Sequence, residues 1–137
     1  MPQVLCSSVA VAALALTLAG CASQGNRPVE DYSGYPKGAT GTPDESRLEP
    51  FASWLSGGDR LALTLYGSST CPPTGERLNV QSPNWLDARL VTLPPDTVCT
   101  MDYVPHTTVF DTPAGVSSRS DVTITVQGRT ITLPALR

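Results

Sequence analysis

His106 is the first residue to test for chemistry, because it is the only histidine in the 137 residues. A serine or cysteine nucleophile would need it as a base, oriented by an acid such as Asp102 or Asp111. Asp111 is an odd number of residues away, which places it on the other face of a regular strand, and Pro105 interrupts the path to Asp102. The sequence therefore predicts a surface or edge histidine and no catalytic residue.

Other chemistry-bearing patterns are incomplete. Ser68, Ser69 and Thr70 follow Gly67, yet Pro72-Pro73 prevents the helix that a nucleophile elbow requires. No pair of acids stands out as a carboxylate pair, and no glycine-rich phosphate loop or Asp-rich calcium loop occurs. A zinc site needs four ligands, more than the soft donors available. We expect no metal, no cofactor and no enzymatic activity.

The start of the chain is an apolar run with no charge before Arg27. It ends in Leu18-Ala19-Gly20-Cys21 and resembles the bacterial prolipoprotein signal, whose lipobox closes on an obligatory cysteine. The resemblance covers residues 1–21 and implies cleavage between Gly20 and Cys21, with a diacylglycerol on Cys21. Acyl chains such as palmitate anchor a protein firmly when two or more are present. We expect attachment to the outer face of the cell membrane without a spanning helix.

The remaining cysteines then form a pair. Cys6 leaves with the signal and Cys21 carries lipid, so Cys71 and Cys99 are left together in an oxidising compartment. Their distance in sequence does not fit the C-x-x-C spacing of a catalytic dithiol. The sequence predicts a structural disulfide between Cys71 and Cys99.

The loop that follows the first of these cysteines is a possible binding element. Two prolines and the disulfide would stiffen Cys71, Pro72, Pro73, Thr74 and Gly75, and a rigid exposed loop loses little entropy on binding. The alternative is that these residues merely stabilise a turn.

The charges exclude one class of partner. The net charge is −3, and no cluster of Lys or Arg occurs, Lys37 being the only lysine. Nucleic acid binding depends on such clusters. We expect no nucleic acid partner.

Residues 21–50 differ in composition from the rest. Residues 22–50 contain four Gly and four Pro, and only two large aliphatics, Val29 and Leu48. Such a segment cannot bury enough surface to order itself, which predicts a flexible tether after Cys21, the residue whose lipidation the resemblance implies. Tyr32 and Tyr35 are either a docking motif or linker residues that contact the domain or contact nothing.

Residues 51–137 show the patterns of a folded β domain. Phe51, Trp54 and Leu55 have helical spacing, which predicts one short helical turn. Strands are predicted from alternating residues at 61–66, 78–80, 86–90, 98–104 and in a hairpin over 122–133 whose turn is Gly128-Arg129. Val91 and Leu93 indicate a bulge or a covered strand end, and Pro105 confines residues 106–110 to an edge or a bent continuation.

These elements predict an all-β fold, a small antiparallel β-sandwich or barrel of six to seven strands with one disulfide. Trp54 and the segments 57–61, 66–73, 98–103 and 110–113 resemble small lipoproteins of high-GC Gram-positive bacteria, over most of residues 54–135. That resemblance implies no activity, because its motifs are structural in character.

The leading hypothesis is a lipid-anchored, non-catalytic cell-envelope protein whose β domain binds an envelope protein or peptide. The alternatives are an envelope hydrolase or transferase with a site assembled from scattered residues, and a disulfide-stapled inhibitor-like module that uses the loop after Cys71.

Overall fold

A computed structural model describes residues 25–40, 44 and 46–137. The predicted signal segment, with Gly20 and Cys21, lies outside the described residues. The described residues form one 3-10 turn at Ser56–Gly58 and eight strands: β1 (Pro28–Ser33), β2 (Phe51–Leu55), β3 (Arg60–Gly67), β4 (Gly75–Ser82), β5 (Trp85–Leu90), β6 (Val104–Asp111), β7 (Val122–Val126) and β8 (Arg129–Leu133). No helix within this part of the chain is long and apolar enough to cross a membrane.

The strands form two four-stranded sheets that face each other as a sandwich. The first sheet has the order β1-β6-β3-β2 and is antiparallel. The second has the order β4-β5-β7-β8, and its β5 and β7 are parallel. The predicted all-β fold is confirmed as a sandwich. The described residues form eight strands, instead of six to seven, and one pair departs from the antiparallel arrangement.

Alternating apolar residues from both sheets fill the space between them. The predicted face of β3 is buried here and meets Phe110 of β6 and residues of the second sheet, and the core includes Leu61, Leu63, Leu65, Leu78, Leu86, Ile124 and Leu133. Burying a side chain of this size contributes about 1.5–3 kcal/mol to folding. The alternation that predicted these strands is therefore also what holds the two sheets together.

The predicted helical turn is wrong, because Phe51–Leu55 is strand β2. Trp54 is buried between the sheets, and its Nε1 donates a hydrogen bond to the carbonyl of Pro134 at 2.8 Å. The next residue, Leu55, is buried on the opposite face. Since both faces of β2 are covered, apolar residues occur at both parities and imitate helical spacing.

Part of the predicted tether is also wrong, because Pro28–Ser33 is strand β1 and pairs with β6. The chain then crosses the outer face of the first sheet and reaches its far edge, where the amide of Thr40 bonds the carbonyl of Trp54 at 3.3 Å. Tyr32 packs on the cluster beneath this crossing, and Tyr35 stacks on Phe51 at 6.4 Å between ring centroids. Both tyrosines thus contact the domain, as one of the two interpretations expected.

The expectation for Pro105 is wrong as well, since β6 is a central strand between β1 and β3. The N–H and C=O of one strand residue point to the same neighbour. The carbonyl of Pro105 accepts from the amide of Gly34 at 2.9 Å, so its missing N–H faces the position just past the end of β1. The carbonyl of Gly34 accepts instead from the hydroxyl of Thr107 at 2.7 Å, so the proline is tolerated.

Residues 98–103 do not form the predicted strand and belong to the loop before β6. Val91 and Leu93 are exposed, so the covered strand end is wrong too. The terminal hairpin is confirmed, but its turn residues are Gln127 and Gly128, with φ values of 49° and 75°. Two residues of positive φ are what a type I′ turn requires, and this turn matches the twist of the strands.

Candidate functional site

Two loops lie together at one end of the sandwich. The loop between β3 and β4 carries Cys71, and residues 91–103 between β5 and β6 carry Cys99. The predicted disulfide joins them, with the two Cα atoms 5.4 Å apart. We call residues 91–103 the pinned loop.

Hydrogen bonds restrain the pinned loop on both sides of the disulfide. The amide of Val91 donates to the carbonyl of Thr74 at 2.9 Å, and the amide of Thr97 closes a turn on the carbonyl of Pro94 at 3.1 Å. The amide of Thr100 donates to Oγ1 of Thr70 at 3.0 Å. The loop is thus tied at intervals of a few residues.

Asp102 anchors the end of the pinned loop. Its Oδ1 accepts from the amide of Ser69 at 3.0 Å and from the hydroxyl of Thr100. Hydrogen bonds from Ser69 and then from Thr100 lower the pKa of Asp102 to about 2, since they stabilise its ionised form. Ser68, Ser69 and Thr70, which resembled a truncated nucleophile loop, therefore bind the pinned loop.

Two apolar side chains of the pinned loop are almost entirely exposed to solvent. Val98 is 91 % exposed and Met101 is fully exposed, one before and one after the Cys99-Thr100 pair. Tyr103 is 54 % exposed and stacks on Tyr66 with 5.5 Å between ring centroids. Apolar side chains held in water on a restrained loop are typical of an interaction site, because the loop loses little entropy when a partner covers them.

The loop predicted as a binding element, residues 71–75, is not exposed in this way. Cys71 to Thr74 are half-buried and Gly75 is buried. The amide of Gly75 donates to Oγ1 of Thr108 at 2.9 Å, and an added Cβ would lie 2.7 Å from Cζ of Phe110. Pro73 packs against Gly67. This segment is rigid as expected, but its prolines and glycine fit against the sandwich, and the exposed surface belongs to the loop across the disulfide.

His106 is not a surface or edge histidine, since it is only 5 % exposed on the inner side of β6. Its Nε2 lies 2.8 Å from Oδ1 of Asp31 on β1. The hydroxyl of Thr108 donates to the same oxygen at 3.0 Å. Asp102 and Asp111, the acids expected near His106, bond elsewhere.

The geometry around His106 differs from that of a catalytic triad, in which the acid and the nucleophile use different ring nitrogens. The nearest hydroxyl, Oγ1 of Thr74, lies 3.5 Å from Nε2, the nitrogen that already faces Asp31. Nδ1 is buried and has no protein partner. An imidazole with its proton on Nε2 leaves only a lone pair at Nδ1, so this tautomer fits the site best. The cluster binds the two sheet strands together.

No group of three or more His, Cys, Asp or Glu among residues 25–40, 44 and 46–137 could hold a metal ion.

Comparison with known proteins identifies no relative of the chain. No family model matches the chain, and neither a curated protein nor a solved structure does.

Sequence reasoning missed two parts of this end of the molecule. Asp31 was assigned to the tether, 75 residues before its histidine, so nothing in the local pattern linked the two. Val98 and Met101 were assigned to a strand, whose alternation their spacing does not follow. A usable signal for the loop was Pro94-Pro95-Asp96 shortly before Cys99, which favours a turn over a strand.

Proposed function

We propose that this protein is a lipid-anchored, non-catalytic component of a bacterial cell envelope that binds an envelope protein or peptide through the pinned loop. The observation that carries the proposal is the full exposure of Val98 and Met101 on a loop fixed by the disulfide. Exposed apolar side chains on a fixed loop contribute binding free energy without the cost of ordering the loop.

The path of the chain supports this proposal. β1 begins beside Asp111, the last residue of β6, where Nδ2 of Asn26 also bonds the carbonyl of Asp111 at 2.9 Å. The pinned loop leads into Val104, the first residue of β6. One strand of this length measures about 27 Å, so the start of the domain and the pinned loop lie at opposite ends.

The distance to the lipid follows from covalent geometry. Asn26, where the bridge to Leu78 begins the domain, is only five positions after Cys21. A chain of that length reaches about 17 Å at most. A lipid on Cys21 would therefore hold the base of the sandwich close to the membrane, and the pinned loop would face away from it.

A photo-crosslinking amino acid tests the binding loop. Placed at Val98 or Met101 in cells, it is expected to give a discrete adduct with one envelope protein on irradiation. The matched control carries the same amino acid at Val29, an exposed apolar residue on β1. Adducts of equal yield from all three positions, or none from the loop, would contradict the proposal.

Lipidation has a separate test. Cells grown with an alkyne-bearing fatty acid are expected to label the protein, and Cys21→Ser is expected to abolish the label and release the protein from the membrane fraction. Cys6→Ser is the control, because this cysteine leaves with the signal. Labelling that survives Cys21→Ser would overturn the anchor.

A further inference from the structure

The outer face of the second sheet carries an aromatic side chain that the core does not need. Leu86 and Ala88 of β5 are buried, so Trp85, Asp87 and Arg89 project to the other side of the sheet. Trp85 is 48 % exposed on a strand that lies between β4 and β7.

The indole of Trp85 is held in one orientation. Its Nε1 donates to Oγ1 of Thr125 on the neighbouring strand at 3.2 Å. The ring borders an open cleft of about 200 Å³ that is lined by Gln81, Trp85, Asp87 and Thr125. An exposed aromatic ring thus lies beside a carboxylate, an amide and a hydroxyl. The carboxylate accepts hydrogen bonds, and the amide and hydroxyl can also donate them.

Two arginines continue this face. Arg77 on β4 is directly opposite Arg89 on β5, and the next pair along the same face is Asn79 with Asp87. Like charges directly opposite each other on a sheet are destabilising. None of the ion pairs among the described residues involves either arginine. An anion that binds between them would remove their repulsion, and a guanidinium binds a carboxylate through two parallel hydrogen bonds.

We propose that this face binds an acidic oligosaccharide. The apolar C–H face of one pyranose ring stacks on Trp85, and its hydroxyls bond Asp87, Gln81 and their neighbours. Alternate residues of a strand are about 7 Å apart, which puts Arg89 about 14 Å from Trp85 and gives room for a carboxylate on a sugar further along the chain.

The carboxylate of Asp87 at this face favours a saccharide over other anionic polymers. Asp87 lies between Trp85 and the arginines, where it would repel the phosphates of a nucleic acid, whereas a carboxylate is a good acceptor for vicinal sugar hydroxyls. The proposal does not use the exposed side chains of Val98 and Met101 in the pinned loop.

Isothermal titration calorimetry with hexagalacturonate and with a hyaluronan hexasaccharide tests the proposal, and maltohexaose serves as the neutral saccharide. We expect saturable binding of at least one acidic hexasaccharide and weaker binding of maltohexaose. Trp85→Ala is expected to weaken binding about tenfold or more, and Arg77→Ala with Arg89→Ala about tenfold. Arg119→Ala, at an exposed arginine in the loop before β7, is the matched control and is expected to bind as the unaltered protein does.

Thermal unfolding of each variant shows whether it is folded, and amide shift mapping on the unaltered protein gives an answer that needs no variant. Shifts are expected at residues 77–89 and 123–125. Binding of neither acidic saccharide, equal binding of maltohexaose, or preferential binding of oligothymidylate or of a polyglutamate peptide would overturn the proposal. Val98→Ser with Met101→Ser is expected to leave saccharide binding unchanged. The proposed binding of a partner by the pinned loop is therefore tested separately.

Discussion

Asp31 and His106 illustrate how single polar groups are accommodated at the margin of this core. One carboxylate oxygen of Asp31 accepts from Thr108 and lies within hydrogen-bond distance of the imidazole of His106. Two buried polar groups of β6 thus share one oxygen of a side chain from the neighbouring strand. The resulting cluster links β1 to β6 through side chains as well as through the backbone.

Replacing Asp31 is therefore expected to reduce stability. Asp31→Ala leaves the imidazole N–H and the hydroxyl of Thr108 without their acceptor, which is expected to lower the free energy of unfolding by about 1–3 kcal/mol. Urea denaturation measures the change. Ser33→Ala, at an exposed residue on the same strand, is the control and is expected to stay within about 0.5 kcal/mol of the original protein. Equal losses in the two variants would show that the cluster contributes nothing.

Asp102 gives a prediction on pH. Its pKa of about 2 in the folded protein lies below the ordinary value of 3.8, so its contribution to stability is present above that value and is lost as the pH falls through about 2. The amide of Ser69 donates a hydrogen bond to Asp102, and its proton chemical shift in NMR spectra is expected to change with pH, with a midpoint at about 2. Asp102→Asn is expected to remove this titration. A midpoint at the ordinary value would mean that the hydrogen bonds from Ser69 and Thr100 to Asp102 do not form.

At the scale of elements, the strands that could be predicted are those whose sequence alternates. β7 alternates because only one of its faces is buried, whereas β3 is buried on both faces but places its leucines on the face toward the core. β2 was missed because apolar residues lie on both of its faces, and β1 because most residues of this edge strand are exposed. The predicted turn of the last hairpin was one residue too late in the sequence, because Gln127 adopts a positive φ that the pattern assigned to glycine alone.

The candidate site depended on features that no local pattern contains. Counting cysteines was enough to predict the Cys71–Cys99 pair, but which of the two tied loops is exposed is decided by packing. Gly75 fits against Phe110 only because β4 and β6 lie in facing sheets. Without that neighbour the sequence could not indicate that the first loop is buried and the second one exposed.

The position of β1 in the sheet can be tested by truncation. A chain that begins at residue 25 is expected to unfold cooperatively, whereas one that begins at residue 34 lacks β1, leaves the edge of β6 unpaired and is expected to lose that cooperative transition. Circular dichroism during heating compares the two. If both chains melt at the same temperature, β1 is not an integral strand.

The disulfide is expected to stabilise both the fold and the pinned loop. Closing a loop of this length contributes about 3.6 kcal/mol on the chain-entropy model, so Cys71→Ala with Cys99→Ala is expected to lower the free energy of unfolding by roughly that amount. Limited proteolysis is expected to cleave the variant within residues 91–103, and the unaltered protein only after reduction. A pinned loop that is cleaved equally fast in the oxidised protein would contradict its rigidity.

At the scale of the whole molecule, the sandwich has a base where the chain enters and an opposite end that carries the pinned loop. If Cys21 bears lipid, Met101→Cys is expected to react with a bulky maleimide on intact spheroplasts faster than Asp59→Cys, because Asp59 lies at the base beside Thr112. Mass spectrometry measures both rates, and detergent extraction is expected to equalise them. Equal rates before extraction would contradict the proposed orientation.

The pairing of β1 with β6 also governs when the domain can fold. The residues of β1 that pair with β6 have their partners at least 73 positions later, as Ser33 does with His106. Such long-range pairing is slow to form, and a chain that emerges from its amino end cannot complete this sheet until β6 has followed. If the proposed signal directs export, the segment next to the proposed lipid site would cross the membrane and meet the processing enzymes while the sandwich is still unfolded, and the domain would close only after most of the chain had been delivered.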